Sequence, residues 1–154
     1  MNNVINTYNL AVGGAITLLS AIFGEYWYLF VAFLLFNVID YVTGWYKARR
    51  LKKESSAIGL KGVVKKVMYW ILIATAFLTA NVFIALGTKI GINLGFTTVL
   101  GWFVLASLTV NEIRSILENL VVADIPVPEF LVRGLAVADK LIDAAVGDKD
   151  ETKE

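Results

Sequence analysis

Polar residues that interrupt an apolar stretch in the first third of the chain are the best candidates for chemistry. Asn37, Asp40, Thr43 and Lys47 follow one another at intervals of three or four residues, with Gly44 next to Thr43. On a helix this spacing places them on one face. A carboxylate among apolar residues is costly in lipid, so Asp40 should face protein, water or a basic partner. The stripe predicts an oligomer contact or a pore lining; the alternative is a helix end where Asp40 only reaches headgroup water.

The rest of the composition argues against catalysis. The chain has 154 residues and contains neither histidine nor cysteine, which excludes a thiol nucleophile, an imidazole base and a disulfide, and leaves no zinc-finger type metal site. Apolar residues make up 58% of the chain and charged residues 18%, against about 45–50% and about 25% in soluble domains. We therefore expect a membrane protein with no catalytic residues, no cofactor and no metal.

Two uncharged stretches of 22 residues, 67–88 and 90–111, predict transmembrane helices, because a hydrocarbon core needs about 20 helical residues. Only Lys89 separates them, and Gly91, Asn93 and Gly95 favour a turn, so the two stretches predict a helical hairpin.

The first 46 residues are less regular. They predict two short helices that turn near Gly24 and Glu25; the alternative is that residues 1–23 form an amphipathic or re-entrant segment. The fold class expected is an all-α membrane protein with three to four transmembrane helices and a C-terminal amphipathic helix. Within a transmembrane domain at residues 1–124, the helices are expected at about 10–24, 26–46, 64–87 and 96–122.

Eight of the fourteen basic residues lie between residues 47 and 66. Short loops rich in Lys and Arg face the cytoplasm, so a cytoplasmic loop is expected at 47–63. Four spans place both termini inside, whereas three place the N-terminus outside. The basic residues are expected to contact anionic headgroups, at about 1 kcal/mol each; they are Lys47, Arg49, Arg50, Lys52, Lys53, Lys61, Lys65 and Lys66. Nucleic-acid binding is the rival interpretation, and flanking transmembrane helices argue against it.

Small residues four apart, such as Gly13 and Thr17, allow close helix approach and add a second candidate contact surface. Their use in packing within one chain is the alternative to self-association. At the other end of the chain, residues 125–154 begin with Pro126 and Pro128, which break a helix. An amphipathic helix over 129–146 and a charged tail are expected to follow.

A longer run of residues resembles a known family. DYVTGWYKARRLKKESSAIGLKGVVKKVMYWILI, followed later by NEIRSILENL and a P-x-P, is similar to phage holin family 4, the toxin secretion/phage lysis holins. The resemblance covers roughly residues 25–142. The positions that match its motifs are Asp40, Thr43, Gly44, Ser55, Ser56, Gly59, Lys61, Gly62, Asn111, Glu112, Ser115, Glu118 and Asn119.

The resemblance implies a phage or prophage protein of the bacterial cytoplasmic membrane. Such a protein self-associates and opens lesions that release an endolysin or a toxin, and none of the matched positions is implied to be catalytic. Two other classes of function are weighed beside it. A small ion channel or transporter is one, although no span has the Gly/Pro-interrupted pair typical of a midplane site. A membrane anchor or lysis regulator that binds a soluble partner through its C-terminal helix is the other.

Overall fold

A computed structural model describes residues 9–10, 12–17, 20 and 24–147. In this part of the chain there is no strand, and four helices are described from end to end: α1 (Trp27–Arg50), α2 (Ser56–Ile90), α3 (Thr98–Val122) and α4 (Glu129–Gly147). A short 3-10 turn, Gly95–Thr97, precedes α3. Among the described residues, three segments are long and apolar enough to cross a membrane: α1, α2 and Gly95–Val122. The expected all-α membrane fold is confirmed.

The expected first span, 10–24, is described only in part. Residues 9–10, 12–17 and 20 are helical and residue 24 is not; residues 11, 18–19 and 21–23 lie outside the described residues, as does the charged tail from residue 148. The chain divides into two compact units, residues 1–35 and 36–154. The candidate functional site lies in the second unit.

The basic segment is mostly helix, which differs from the loop expected at 47–63. Helix α1 continues to Arg50 and α2 begins at Ser56, so the chain leaves helical geometry only between them, where Lys52 has a φ of 53°. Charge keeps a segment out of lipid but does not stop a helix. With 35 residues, α2 is about 52 Å long, well beyond a hydrocarbon core of about 30 Å.

The turn between α2 and α3 depends on glycine. Gly91 ends α2 with a φ of 75°, a left-handed conformation that a side chain rarely adopts. The Ile92 N–H then donates to the Gly87 carbonyl at 2.8 Å. The Asn93 side-chain oxygen accepts from the Gly95 N–H at 2.9 Å. These bonds reverse the chain within a few residues, which makes α2 and α3 an antiparallel pair.

Close approach of α2 and α3 is set by one aromatic ring. Phe77 and Trp102 meet edge to face with ring centroids 5.0 Å apart. A Cβ added at Gly101 would lie 2.6 Å from Phe77 Cδ1, so no side chain fits there. Ala80 is fully buried, and its carbonyl accepts from the Thr97 hydroxyl at 3.3 Å. Small residues thus bring the two helices together, as is usual in lipid.

Gly101→Ala is expected to lower the free energy of unfolding in detergent by about 1–3 kcal/mol, the usual cost of overpacking a closely packed site. Gly59→Ala is the matched control, because a Cβ there meets nothing within 4 Å. This control should be neutral or stabilising by about 0.5–1 kcal/mol, since alanine favours a helix over glycine. Circular dichroism during titration with a denaturing detergent measures both. Equal stability of the two variants would contradict the close Phe77 contact.

Candidate functional site

Three charged side chains form one layer across α1, α2 and α3. Asp40 lies ten residues before Arg50 at the end of α1, Lys66 ten residues after the start of α2, and Glu112 ten residues before the end of α3. At 1.5 Å per residue, each is about 15 Å from that end of its helix. Each is also the charged residue that borders the uncharged part of its helix. The layer therefore marks the edge of the apolar zone on the side of the basic residues.

Lys66 joins the three helices electrostatically. Its Nζ donates to Asp40 Oδ2 at 2.8 Å and also to Glu112 Oε2. The side chains of Lys66 and Asp40 are 14% and 16% exposed, and that of Glu112 is 2% exposed. Such burial is tolerated because each carboxylate has a cation beside it.

Asn119 of α3 is the second centre of the site. Its Nδ2 donates to Asp40 Oδ1 at 3.0 Å and to the Thr43 hydroxyl at 3.3 Å, and its Oδ1 accepts from Lys47 Nζ. Asn119 is buried, at 5% exposure. A Cβ added at Gly44 would lie 3.4 Å from Asn119 Nδ2, so the glycine leaves room for this amide beside α1.

We call the set of Asp40, Thr43, Lys47, Lys66, Glu112 and Asn119 the polar network. Its two ammonium groups balance its two carboxylates, so its formal charge is zero. Electrical neutrality lowers the cost of holding these groups at the edge of a hydrocarbon core.

A cleft of about 900 Å³ leads to the polar network from the basic ends of α1 and α2. Asp40, Lys66 and Asn119 line it on one side, and Ser55 and Gly59 of α2 line it near its mouth. The cleft therefore reaches the network from the ends of α1 and α2 that carry the basic residues.

Several predicted site residues come together in this network, and others do not. Asp40, Thr43, Gly44 and Lys47 meet α3 through Asn119, and Asn37 on the same stripe is buried at 4% exposure. Gly13 and Thr17 belong to the other unit and are exposed. There the Thr17 hydroxyl donates to the Gly13 carbonyl at 2.8 Å. Their role in an oligomer contact stays a prediction.

Of the eight basic residues expected at headgroups, two belong to the polar network and six do not. Lys47 and Lys66 differ from that expectation because the polar network uses their ammonium groups. Arg49 lies over the Trp45 ring at 5.3 Å, Lys65 lies over Tyr69 at 5.4 Å, and Arg50 pairs with Asp124 at 3.0 Å. Lys52, Lys53 and Lys61 are exposed, as are Arg49, Arg50 and Lys65, and headgroup contact stays a prediction for all six.

The local sequence pattern predicted no function for Glu112 or Asn119. The signal that points to them is their position: a carboxylate and an amide in a helix otherwise able to cross a membrane need polar partners. Asn111, next to Glu112, meets this need by donating from Nδ2 to the Tyr69 hydroxyl at 2.9 Å.

The ion pair between Arg50 and Asp124 and the polar network place the ends of α1 and α3 and the start of α2 on one side. We predict that this side is cytoplasmic, because it carries the basic residues. In this cysteine-free chain, Ser55→Cys and Gly147→Cys should resist an impermeant thiol reagent in intact cells, whereas Ile92→Cys in the α2–α3 turn should react. Reaction of Ser55→Cys in intact cells would refute this topology.

Comparison with known proteins places these features in a family. A family model described as "Bacteriophage holin family" matches residues 17–140. An uncharacterized 14.9 kDa protein in the nagH 3' region of Clostridium perfringens is 31% identical over 135 residues, which cover 88% of this chain and 95% of the relative. An uncharacterized protein of Listeria innocua is 35% identical over 130 residues, covering 84% of this chain and 82% of the relative. No solved structure matches the chain significantly.

Proposed function

The chain belongs to the bacteriophage holin family, and from this premise we propose that it acts as a holin in the bacterial cytoplasmic membrane. In this proposal several copies associate laterally and open a lesion that lets an endolysin or a toxin leave the cytoplasm. The chain is a multi-pass protein that performs no catalysis itself, and the released cargo carries the enzymatic or toxic activity.

The observation that carries the proposal is the polar network at the boundary of three apolar helices. Lys47 and Lys66 balance the charges of Asp40 and Glu112 inside one copy, which allows the protein to reside in lipid without a pore. The same groups are suited to face water if the helices separate, because charged side chains gain hydration there. A lesion lined by these residues would thus use groups that the isolated copy keeps covered.

The proposed function is tested by measuring the release of a cytoplasmic enzyme. Cells that express the chain together with a folded cytoplasmic reporter enzyme should retain the enzyme at first and then release it abruptly. Cells with a co-expressed endolysin should lyse at the same moment, whereas cells with the endolysin alone should not. The matched control is a chain that ends after residue 50 and lacks α2 and α3.

Two other outcomes would overturn the proposal. Loss of small ions with retention of the reporter enzyme would indicate an ion channel. Retention of both would indicate a membrane anchor or lysis regulator that acts through a soluble partner.

A further inference from the structure

Helix α4 has three distinct faces. Val132, Leu135 and Ala136 line a cleft of about 350 Å³ with α3 residues such as Leu117 and Val121. Leu135 is half-buried there, whereas most of the described side chains of α4 are exposed. One side of the helix therefore lies against the end of α3.

A second face is apolar and points away from α3. Phe130, Gly134 and Val137 recur at intervals of four and three residues, which places them on one stripe. Phe130 is 71% exposed and Val137 58% exposed, and a Cβ added at Gly134 would meet nothing within 4 Å. Phe130 and Val137 are thus exposed side chains, and no described atom packs against Gly134 between them.

The third face is charged. Glu129, Arg133 and Lys140 lie four and seven residues apart, about a quarter turn from the apolar stripe. Arg133 Nη2 and Glu129 Oε1 are 2.8 Å apart, and both side chains are at least 75% exposed. A helix with a protein side, an apolar side and a charged side matches a position where a bundle, the lipid interface and water meet.

We propose that the apolar stripe of α4 rests in the lipid interface on the basic side of the membrane, beside the end of α3. Phe130 and Val137 then contact acyl chains near the headgroups, and Arg133 and Lys140 stay in water. This inference does not depend on the proposed holin function, because it concerns only how α4 meets the bilayer.

The short distance between α4 and the apolar zone supports lipid as the material that covers the apolar stripe. Only residues 123–128 separate α3 from α4, and the cleft that α4 lines reaches Leu117 of α3, five residues or about 8 Å beyond Glu112 at the edge of the apolar zone. The left-handed φ of 55° at Asp124 turns the chain here, and two prolines follow. Part of α4 therefore lies within reach of the headgroup layer that borders the apolar zone.

The size of the stripe argues against a protein partner. A stable protein interface buries roughly 1,200–2,000 Å² in total, and among the described side chains of α4 this stripe offers two apolar ones around a glycine. The charge of α4 argues against attraction to anionic headgroups: residues 129–147 contain three acids and two bases. Apolar contact is thus the driving force, and the association should not require anionic lipid.

Spin labels test this position in the full-length chain, which has no natural cysteine. Single variants Phe130→Cys, Gly134→Cys and Val137→Cys probe the stripe, and Arg133→Cys and Lys140→Cys are matched controls on the same helix. Each labelled protein is reconstituted into vesicles of phosphatidylcholine alone or of phosphatidylcholine with phosphatidylglycerol. Collision rates with oxygen, which enriches in lipid, and with a water-soluble nickel chelate are then measured.

The expected result is a several-fold lower nickel accessibility at positions 130, 134 and 137 than at 133 and 140, with oxygen accessibility higher, in both lipid mixtures. Gly134→Cys guards against an artefact of removing Phe130, because it leaves that ring in place. Equal nickel accessibility at all five positions would place the stripe in water and overturn the proposal. Spin–spin broadening at the stripe would assign it to a second copy, and protection only with phosphatidylglycerol would assign it to headgroup charge; either result also overturns it.

Discussion

Lys66→Met is expected to lower the free energy of unfolding by about 3–5 kcal/mol, the usual cost of breaking a buried ion pair by removing one partner. The variant leaves Asp40 and Glu112 without the ammonium group that contacts both. The free-energy cost is largest for Glu112, because its side chain is only 2% exposed. Unfolding of the purified protein in mixed detergent micelles, followed by circular dichroism, measures the loss.

Two further variants make this result specific to the polar network. Arg50→Met removes a cation from an ion pair whose side chains are 44% and 78% exposed, and such surface pairs contribute only about 0–1 kcal/mol. Adding Asp40→Asn and Glu112→Gln to Lys66→Met removes the uncompensated charges, so this triple variant should recover much of the lost stability. A Lys66→Met variant as stable as Arg50→Met would show that water, and not Lys66, solvates the two carboxylates.

Gly44→Leu is expected to prevent or strongly delay release of a cytoplasmic reporter enzyme while leaving membrane insertion intact. A branched side chain at position 44 extends beyond the Cβ that would already lie 3.4 Å from Asn119 Nδ2. It displaces the Asn119 amide from Asp40 and Thr43 and separates α1 from α3. Assembly of a lesion from copies that share this arrangement should then fail. Release kinetics after induction, with membrane content measured by immunoblot, test the prediction.

Gly44→Ala is the matched control for this substitution. Its Cβ makes an ordinary van der Waals contact with Asn119, so release should keep the timing of the original chain. Normal timing from both variants would mean that the contact between α1 and α3 plays no part in release, and that the polar stripe of α1 is only a helix end near headgroups.

Much of the architecture could be predicted from local sequence. Uncharged stretches of 22 residues predict the apolar parts of α2 and α3; α2 covers the whole of the first stretch, and α3 covers residues 98–111 of the second. Gly91, with its φ of 75°, lies in the predicted turn. Helix ends are harder to predict, because charge marks where lipid ends and not where a helix ends. Lys61 and Lys65 are unsuited to lipid but fit well in a helix, so α2 starts at Ser56, about two turns earlier than expected.

The sequence by itself determined that Asp40 needs a polar partner, because a carboxylate bordering an apolar stretch must be compensated. Only the tertiary structure decided which one. Lys47 lies seven residues away on the same helix face, yet Asp40 pairs with Lys66, 26 residues away in sequence.

The physical reason is that spacing along one helix defines a face, whereas a contact between helices depends on their rotation and relative height. In this chain, Phe77 packs so closely against Gly101 that α2 and α3 can change little in rotation or height relative to each other. That register is what brings Glu112 to Lys66.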